Sequence, residues 1–425
     1  MSGLEACTSI TALRAVWKDE RRRLLRSCFG PDRVTGESFE RSLDRQLREI
    51  RHRLASNFRP HGLLAFAKEK SSGGHRIICV PTVADRLLQF SVLNQLRPRL
   101  PAMGLDNPVA FGLASGVERS VLGARKFACR ARNERPWVYK ADVHKFFDNV
   151  ERSILRDAVH RVSRQRSLQP LLCAFLETEI EDGVDRRWRN IVAEAGIQRG
   201  RGVRQGMPLS PFYAGVYLRD IDRRLLKMGI AAARYVDDVV AFFHTEVEAK
   251  SFHDFLKSAL NDIGLRIGDP GEVGSKTVIY SPDEAAHFLG MELCRLPDRP
   301  YQLRVAQKDI EGIVERIAAC GEAPVLQERK VTLTSMGSYF QSVVRGYVNA
   351  YSAAQNRDQL EAAVTRAATH AQARVLRDLF GTRRLQNLAP SEIRFLGVDR
   401  DVLLNAAPVK LGAQDDARGA VRYRA

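Results

Sequence analysis

The stretch Arg234-Tyr-Val-Asp-Asp-Val-Val-Ala-Phe-Phe243 constrains this chain more than any other. Aspartate is disfavoured in strands, yet two adjacent carboxylates sit here between β-forming residues. With Ala231 to Ala233 completing the first arm, the pattern predicts a hairpin over Ala231–Phe243 with both acids at its tip. Successive strand residues face opposite sides, so only one acid can point fully into a site, while the turn brings the other close. Taken alone, an Asp-Asp tip is also an ordinary solvated turn. A second predicted strand, Trp137-Val-Tyr-Lys-Ala-Asp142, likewise ends on an acid. Joined in one sheet, the two segments would gather three carboxylates at neighbouring strand ends.

Such a cluster repels itself. Two like charges about 4 Å apart cost roughly 4 kcal/mol at an effective dielectric of about 20. Divalent cations remove that cost, and hard oxygen donors favour magnesium. A pair of ions about 4 Å apart can clamp the attacking 3′-hydroxyl and the leaving pyrophosphate oxygen of a phosphoryl transfer.

With 425 residues, the chain is long enough for two or three packed units. Lys plus Arg number 67 against 50 acids, a net +17. That excess favours a polyanionic partner, nucleic acid first, although a basic balance also serves solubility. Seven scattered cysteines form no CxxC pair and no zinc-spaced Cys/His cluster, which points to reduced thiols and disfavours a zinc-bearing nuclease domain. No apolar run reaches bilayer length and no signal-peptide core opens the chain, so a cytoplasmic protein without a membrane partner is expected.

Residues 1–60 read as charged helix, with Lys18, Arg21, Arg22, Arg23 and Arg26 in one run that is either a solvated face or a phosphate contact. Leu63–Lys70 and His75–Val80 flank Ser71-Ser-Gly-Gly74 as a second hairpin, and Ala84–Leu96 carries helical spacing. A helical stretch follows Asp142, then a Gly200–Gly206 loop and a helix after Pro211. From about Lys308 the pattern is helical, alanine-rich and basic, and the best division falls near 296.

At this point the residues resemble a family, the reverse transcriptases. Asp142 with Phe146-Phe147 looks like the family's first catalytic-aspartate motif, Gln205-Gly-Met-Pro-Leu-Ser-Pro211 like its QGxxxSP motif, and Tyr235-Val-Asp-Asp238 like its YxDD box. Lys276 in Ser275-Lys-Thr and His287-Phe-Leu-Gly-Met-Glu-Leu293 are similar to the following palm motif and the primer grip. YxDD alone is a weak signal; five motifs in order across roughly 60–350 are a strong one. The resemblance implies an α+β right-hand polymerase: fingers and palm, with an antiparallel sheet packed on helices, and an α-helical thumb. It divides the chain into a helical basic extension (1–60), a fingers-and-palm domain (61–295) and a helical thumb with a basic C-terminal region (296–425).

The implied activity is RNA-directed DNA polymerisation, a nucleotidyl transfer that takes an RNA template and deoxynucleoside triphosphates to a DNA product. Asp142, Asp237 and Asp238 would be catalytic. Asp142, Val143, Asp237 and Asp238 would hold two Mg²⁺ ions (Mn²⁺ a possible substitute), with Asp142 and Asp237 binding both and Asp238 assisting. Arg76, Phe147, Gln205, Gly206, Tyr235 and Lys276 would contact the nucleotide. Phe147 matches the steric gate that would collide with a ribose 2′-hydroxyl; it is otherwise a core phenylalanine. Glycine at 206 permits close backbone approach. Arg76 resembles the arginine that holds the triphosphate, a task its bidentate guanidinium suits, and spacing does not choose between Lys68 and Lys70 as its helper. Asp85-Arg86 resembles a pair common in bacterial members, and equally reads as a local salt bridge or helix start.

His75-Arg-Ile-Ile-Cys-Val-Pro-Thr-Val-Ala-Asp-Arg86 is similar to group II intron-type enzymes, with Gly337–Tyr351 where these carry a helical thumb. The short stretch after 385, without a His/Cys-rich module, disfavours a mobile DNA-cleaving enzyme. Pro211 argues against the diversity-generating branch, and the Val34-Thr-Gly36 triplet lies too early for a retron signature. What remains resembles stand-alone, defence-associated bacterial enzymes that copy a dedicated noncoding RNA in antiphage immunity. The alternatives are an intron-type maturase, an RNA-binding protein with a splicing or retromobility role, and an RNA-dependent RNA polymerase, against which Phe147 and the YxDD form argue.

Overall fold

The computed structural model describes residues 2–56, 58–69, 74–181, 186–296 and 299–405. Lys70, turn residues 71–73 and the basic tail beyond 405 lie outside them. The chain divides into two compact units, Met1–Pro282 and Asp283–Ala425.

The first unit opens with α1 (Gly3–Thr8), α2 (Ile10–Arg26), α3 (Gly36–Arg41) and α4 (Leu43–Ala55). Ser2, Ser9 and Thr35 cap the first three, each accepting a main-chain N–H of the first turn. The basic run on α2 is partly used within the fold. Arg21 bonds Glu40 at 2.5 and 2.8 Å, and the Arg23 guanidinium lies 4.7 Å over the Phe90 ring.

Strands β1 (Leu64–Glu69) and β2 (His75–Val80) pair antiparallel from Leu64↔Val80 to Glu69↔His75. Helix α5 (Val83–Leu96) starts where Thr82 Oγ1 accepts the Asp85 amide at 3.1 Å, and it is buried nearly all round, as a helix through the middle of a core must be. Asp85 and Arg86 both find partners in segments before β1. Asp85 accepts from the His61 amide at 2.9 Å and from Arg53, and Arg86 Nη2 donates to the Cys28 carbonyl at 2.7 Å.

Next come α6 (Leu100–Met103), β3 (Ala110–Phe111), α7 (Val121–Glu134), β4 (Trp137–Asp142), α8 (Phe146–Asn149), α9 (Arg152–Val162), α10 (Gln169–Leu176), α11 (Arg186–Glu194) and α12 (Ser210–Lys227). The hairpin β5 (Ala231–Tyr235) and β6 (Asp238–Phe243), then α13 (Glu246–Asn261) and β7 (Val278–Tyr280), complete the unit. The sheet order is β3-β5-β6-β4-β7, antiparallel except for β3 beside β5. Alternation gives the sheet two apolar faces. On one, Tyr139 and Phe243 pack on Phe252 of α13, both with ring centroids 5.1 Å apart. On the other, Phe242 meets Phe127 of α7. Asp142 and Asp238 lie on the Phe242 face, at the end of the sheet where β4 stops and β6 starts.

The second unit holds β8 (Ala286–Phe288), β9 (Met291–Cys294) and β10 (Gln302–Arg304), an antiparallel sheet ordered β10-β9-β8. The expected division near 296 falls between β9 and β10, which pair through Leu293↔Leu303. The β8–β9 turn is Leu289-Gly290, both with positive φ (49° and 75°), the sign pattern of a type I′ turn. Helices α14 (Gln307–Cys320), α15 (Ala323–Glu328), α16 (Leu333–Ala350), α17 (Arg357–Phe380), α18 (Thr382–Gln386), α19 (Pro390–Phe395) and α20 (Arg400–Asn405) follow. Leu360, Val364, Ala367, Ala371 and Val375 form the buried stripe of α17. Among the described residues, no helix is long and apolar enough to cross a membrane. The architecture is α+β, as expected.

Candidate active site

The β5–β6 turn decides where the carboxylates go. Tyr235 pairs with Asp238, leaving Val236 and Asp237 as a two-residue connection. Of these, only Val236 has positive φ, 60°, a left-handed conformation that is strained for a β-branched residue. Across the sheet Asp238 is the register partner of Asp142. The three acids of the sequence pattern thus meet at one end of one sheet: two as cross-strand partners, and Asp237 on the adjoining turn.

Their electrostatics follow from that crowding. Burial, and then the neighbouring Asp142, raise the pKa of Asp237, while Arg76 and Lys276 pull it back. Burial pushes Asp238 up to about 6; Lys140 opposes this, and Asp142 and Asp237 add to it. Lys276 Nζ donates to Asp142 Oδ2 at 2.6 Å, a largely exposed contact of small energetic weight. Among the described residues, no three His, Cys, Asp or Glu side chains form a ready-made metal cage. The donor set nonetheless fits a hard divalent cation: it is all carboxylate, and Asp238 Oδ1 is buried without a hydrogen-bond partner among the described residues. Val143, the remaining ligand candidate, follows Asp142 directly and is buried.

This predicts an effect of pH on the metal-free protein. The native state binds the Asp238 proton more tightly than the unfolded chain. The stability from that group is therefore full below its ordinary 3.8 and is lost as pH rises through about 6. Asp238→Asn should then stabilise the chelator-treated protein by about 3 kcal/mol well above pH 6 and by nothing below about pH 4. Thermal melts at the two ends of that range check this, and an equal gain at both ends would refute it.

Four of the nucleotide candidates, Arg76, Gln205, Gly206 and Phe147, sit on three segments tied to one another. Arg76 is exposed on β2 opposite Lys68, and its charge reaches Asp237. The Cys79 amide of the same strand donates to the Gln205 carbonyl at 2.6 Å, which ties the 200–206 loop to the hairpin. Gly206 has φ 105°, and a Cβ there would lie 2.7 Å from the Cys79 carbonyl oxygen, so only glycine fits. From the other side, the Val203 amide donates to the Phe147 carbonyl at 2.7 Å. Phe147 is half-buried on α8, with its ring set edge-on to that of Phe146.

Three features escaped the sequence reading. Gly112 (φ 90°) lies under the Tyr235 ring, where a Cβ would come within 2.6 Å of Cε2. Its signal was a lone glycine after Ala110-Phe111. Glu179 accepts from Arg152 Nη1 at 2.7 Å, Arg204 Nη2 at 2.5 Å and the Gly200 amide at 2.8 Å, which fastens the base of the 200–206 loop. Arg234, buried on β5, grips Asp222 of α12 at 2.7 and 2.5 Å. For Arg234 the signal was an isolated charge after three alanines; Glu179, among Glu177, Glu181 and Asp182, gave none.

The family described as Reverse transcriptase (RNA-dependent DNA polymerase) matches residues 67–293, more than half of the chain. The chain is 24% identical over 165 residues to the group II intron-encoded protein LtrA of Lactococcus lactis subsp. cremoris; this covers 38% of the chain and 25% of LtrA. It is 23% identical over 323 residues to protein YkfC of Escherichia coli (strain K12), covering 65% of the chain and 78% of YkfC. Among solved structures, telomerase from Candida albicans with a fragment of telomeric RNA aligns with TM-score 0.43 and 11% identity, over 85% of this chain and 68% of that one. A partial Cas6-RT-Cas1–Cas2 complex aligns with TM-score 0.35 and 20% identity, over 62% and 42%. The chain belongs to the reverse transcriptase family.

Proposed function

We propose that this chain is an RNA-directed DNA polymerase that extends a primer 3′-hydroxyl with deoxynucleoside triphosphates. The observation that carries the reading is the register pairing of Asp142 with Asp238, with Asp237 on the adjoining turn. Asp142, Asp237 and Asp238, with Val143 beside them, would hold two Mg²⁺ ions. Such ions supply charge neutralisation at the attacking and leaving oxygens of an in-line transfer. The chain's own residues do the positioning. Arg76 and Lys276 bring cations to the triphosphate, Gln205 and Gly206 lie against the incoming base and the template, and Phe147 excludes a 2′-hydroxyl. Tyr235, held by Gly112, sets the floor of the pocket.

Primer extension on a primed RNA template tests this, comparing deoxynucleotides with ribonucleotides in Mg²⁺. DNA synthesis is expected; no extension on any primed RNA would sink the reading.

The finer role we propose is copying of a dedicated noncoding RNA in antiphage defence. The support is the Pro211 form of the QGxxxSP motif and the early position of Val34-Thr-Gly36. Sequencing the nucleic acid that co-purifies should find one RNA and its complementary DNA. An intron-type RNA-binding role is favoured by the likeness to LtrA. It would be selected if cells keep the native phenotype with the aspartates removed.

A further inference from the structure

The turn that carries Asp237 is strained, and one buried side chain touches its strained residue. Arg234 uses Nε and Nη2 to bind both carboxylate oxygens of Asp222, at 2.7 and 2.5 Å. Its remaining Nη1 donates at 2.8 Å to the carbonyl of Val236, the residue in the left-handed conformation immediately before Asp237. The Arg234 and Asp222 side chains are 5% and 1% exposed. A buried ion pair of this kind is a weak stabiliser in its own right, because desolvation offsets the attraction. Its geometry is more informative than its energy. The planar fork grips both Asp222 oxygens side by side and still reaches the Val236 carbonyl from its far end, a spread that a compact ammonium does not reproduce.

Asp222 lies on α12, whose first residue, Ser210, donates its hydroxyl to the Arg204 carbonyl at 2.7 Å. Arg204 in turn is held by Glu179. One set of polar contacts therefore runs from the 200–206 loop through α12 to the turn that carries Asp237. We propose that Asp222 and Arg234 are positioning residues for the metal site: they hold the Val236 peptide in its left-handed turn and so fix Asp237 and Asp238 relative to Asp142. This rests on the reading of the three aspartates as metal ligands.

The test is Mn²⁺ binding to the full chain without nucleotide, followed by the electron paramagnetic resonance signal of free Mn²⁺, with thermal melts alongside. Arg234→Lys should weaken Mn²⁺ binding about 10- to 100-fold, the range seen when a residue supporting metal ligands is lost. Glycine adopts positive φ without strain, so Val236→Gly added to Arg234→Lys should recover most of that loss. Native Mn²⁺ affinity in Arg234→Lys would overturn the proposal. So would a double variant that melts like the native protein yet still binds Mn²⁺ weakly, because the pair would then not act through the Val236 turn. Should Arg234→Lys not fold, Asp222→Asn with and without Val236→Gly carries the same comparison. Asp237→Asn is the control for the underlying reading: unchanged Mn²⁺ binding there means the acids are not ligands.

Discussion

Replacing Asp237 and Asp238 together by alanine is expected to reduce primer extension by at least about a thousandfold, roughly 4 kcal/mol of transition-state stabilisation. The loss is large because the proposed chemistry has little besides charge neutralisation and alignment to rely on. Folding should survive, since both acids lie at the tip of the hairpin and the alternating core of β5 and β6 stays intact. Burial raises the pKa of both carboxylates, so their removal should leave the metal-free protein no less stable. The single variants refine the assignment. Asp142→Ala and Asp237→Ala should each approach the double variant, with a smaller loss for Asp238→Ala. Extension at the native rate in the double variant would mean that the site lies elsewhere, and a larger loss for Asp238→Ala than for Asp237→Ala would exchange their roles.

Phe147→Ala should cut discrimination between deoxynucleotides and ribonucleotides by about 10- to 100-fold, the scale on which a pocket sorts substrates by steric fit. The ring is only half-buried, so its loss costs less packing than a core deletion would. Its main-chain carbonyl, which receives the Val203 amide, is kept in the variant. The check is the ratio of kcat/KM for matched deoxy- and ribonucleotides on one RNA template. An unchanged ratio with deoxynucleotide extension intact would make Phe147 an ordinary packing residue.

The elements that bear the acids were legible in the sequence because charge interrupts a β pattern there. Trp137–Asp142 is a strand, and the Ala231–Phe243 hairpin turns where the two aspartates sit. The 63–80 hairpin was legible for the same reason, with glycines between two β-prone runs. Pairings between distant segments were not. Nothing in the order of residues says that Asp222 and Arg234 grip each other, or that Glu179 collects Arg152 and Arg204, because Asp222, Glu179, Arg152 and Arg204 sit among other charges and their partners are distant in the chain. Asp85 and Arg86 are adjacent and invite a local reading, yet their partners are His61, Arg53 and the Cys28 carbonyl. His287–Leu293 was visible as a motif, but neither its β8–β9 hairpin nor the sheet it joins was read. That sheet depends on 302–304, whose pattern is too short to read alone.

The position of β4 between β6 and β7 in its sheet sets a timetable for the nascent chain. Its hydrogen-bonding neighbours are β6 and β7, which lie about a hundred and more residues downstream, and non-local pairing of this kind is slow and late. On the ribosome, the N-terminal helices and the 63–80 hairpin can settle while Asp142 waits unpaired. Its carboxylate partners arrive only when the 231–243 hairpin emerges, and the second edge of β4 is covered only when 278–280 follows. A chain truncated before Tyr235 would carry the whole 63–80 hairpin and only one of the three clustered aspartates. Synthesis therefore assembles the aspartate cluster late, after most of the framework around it.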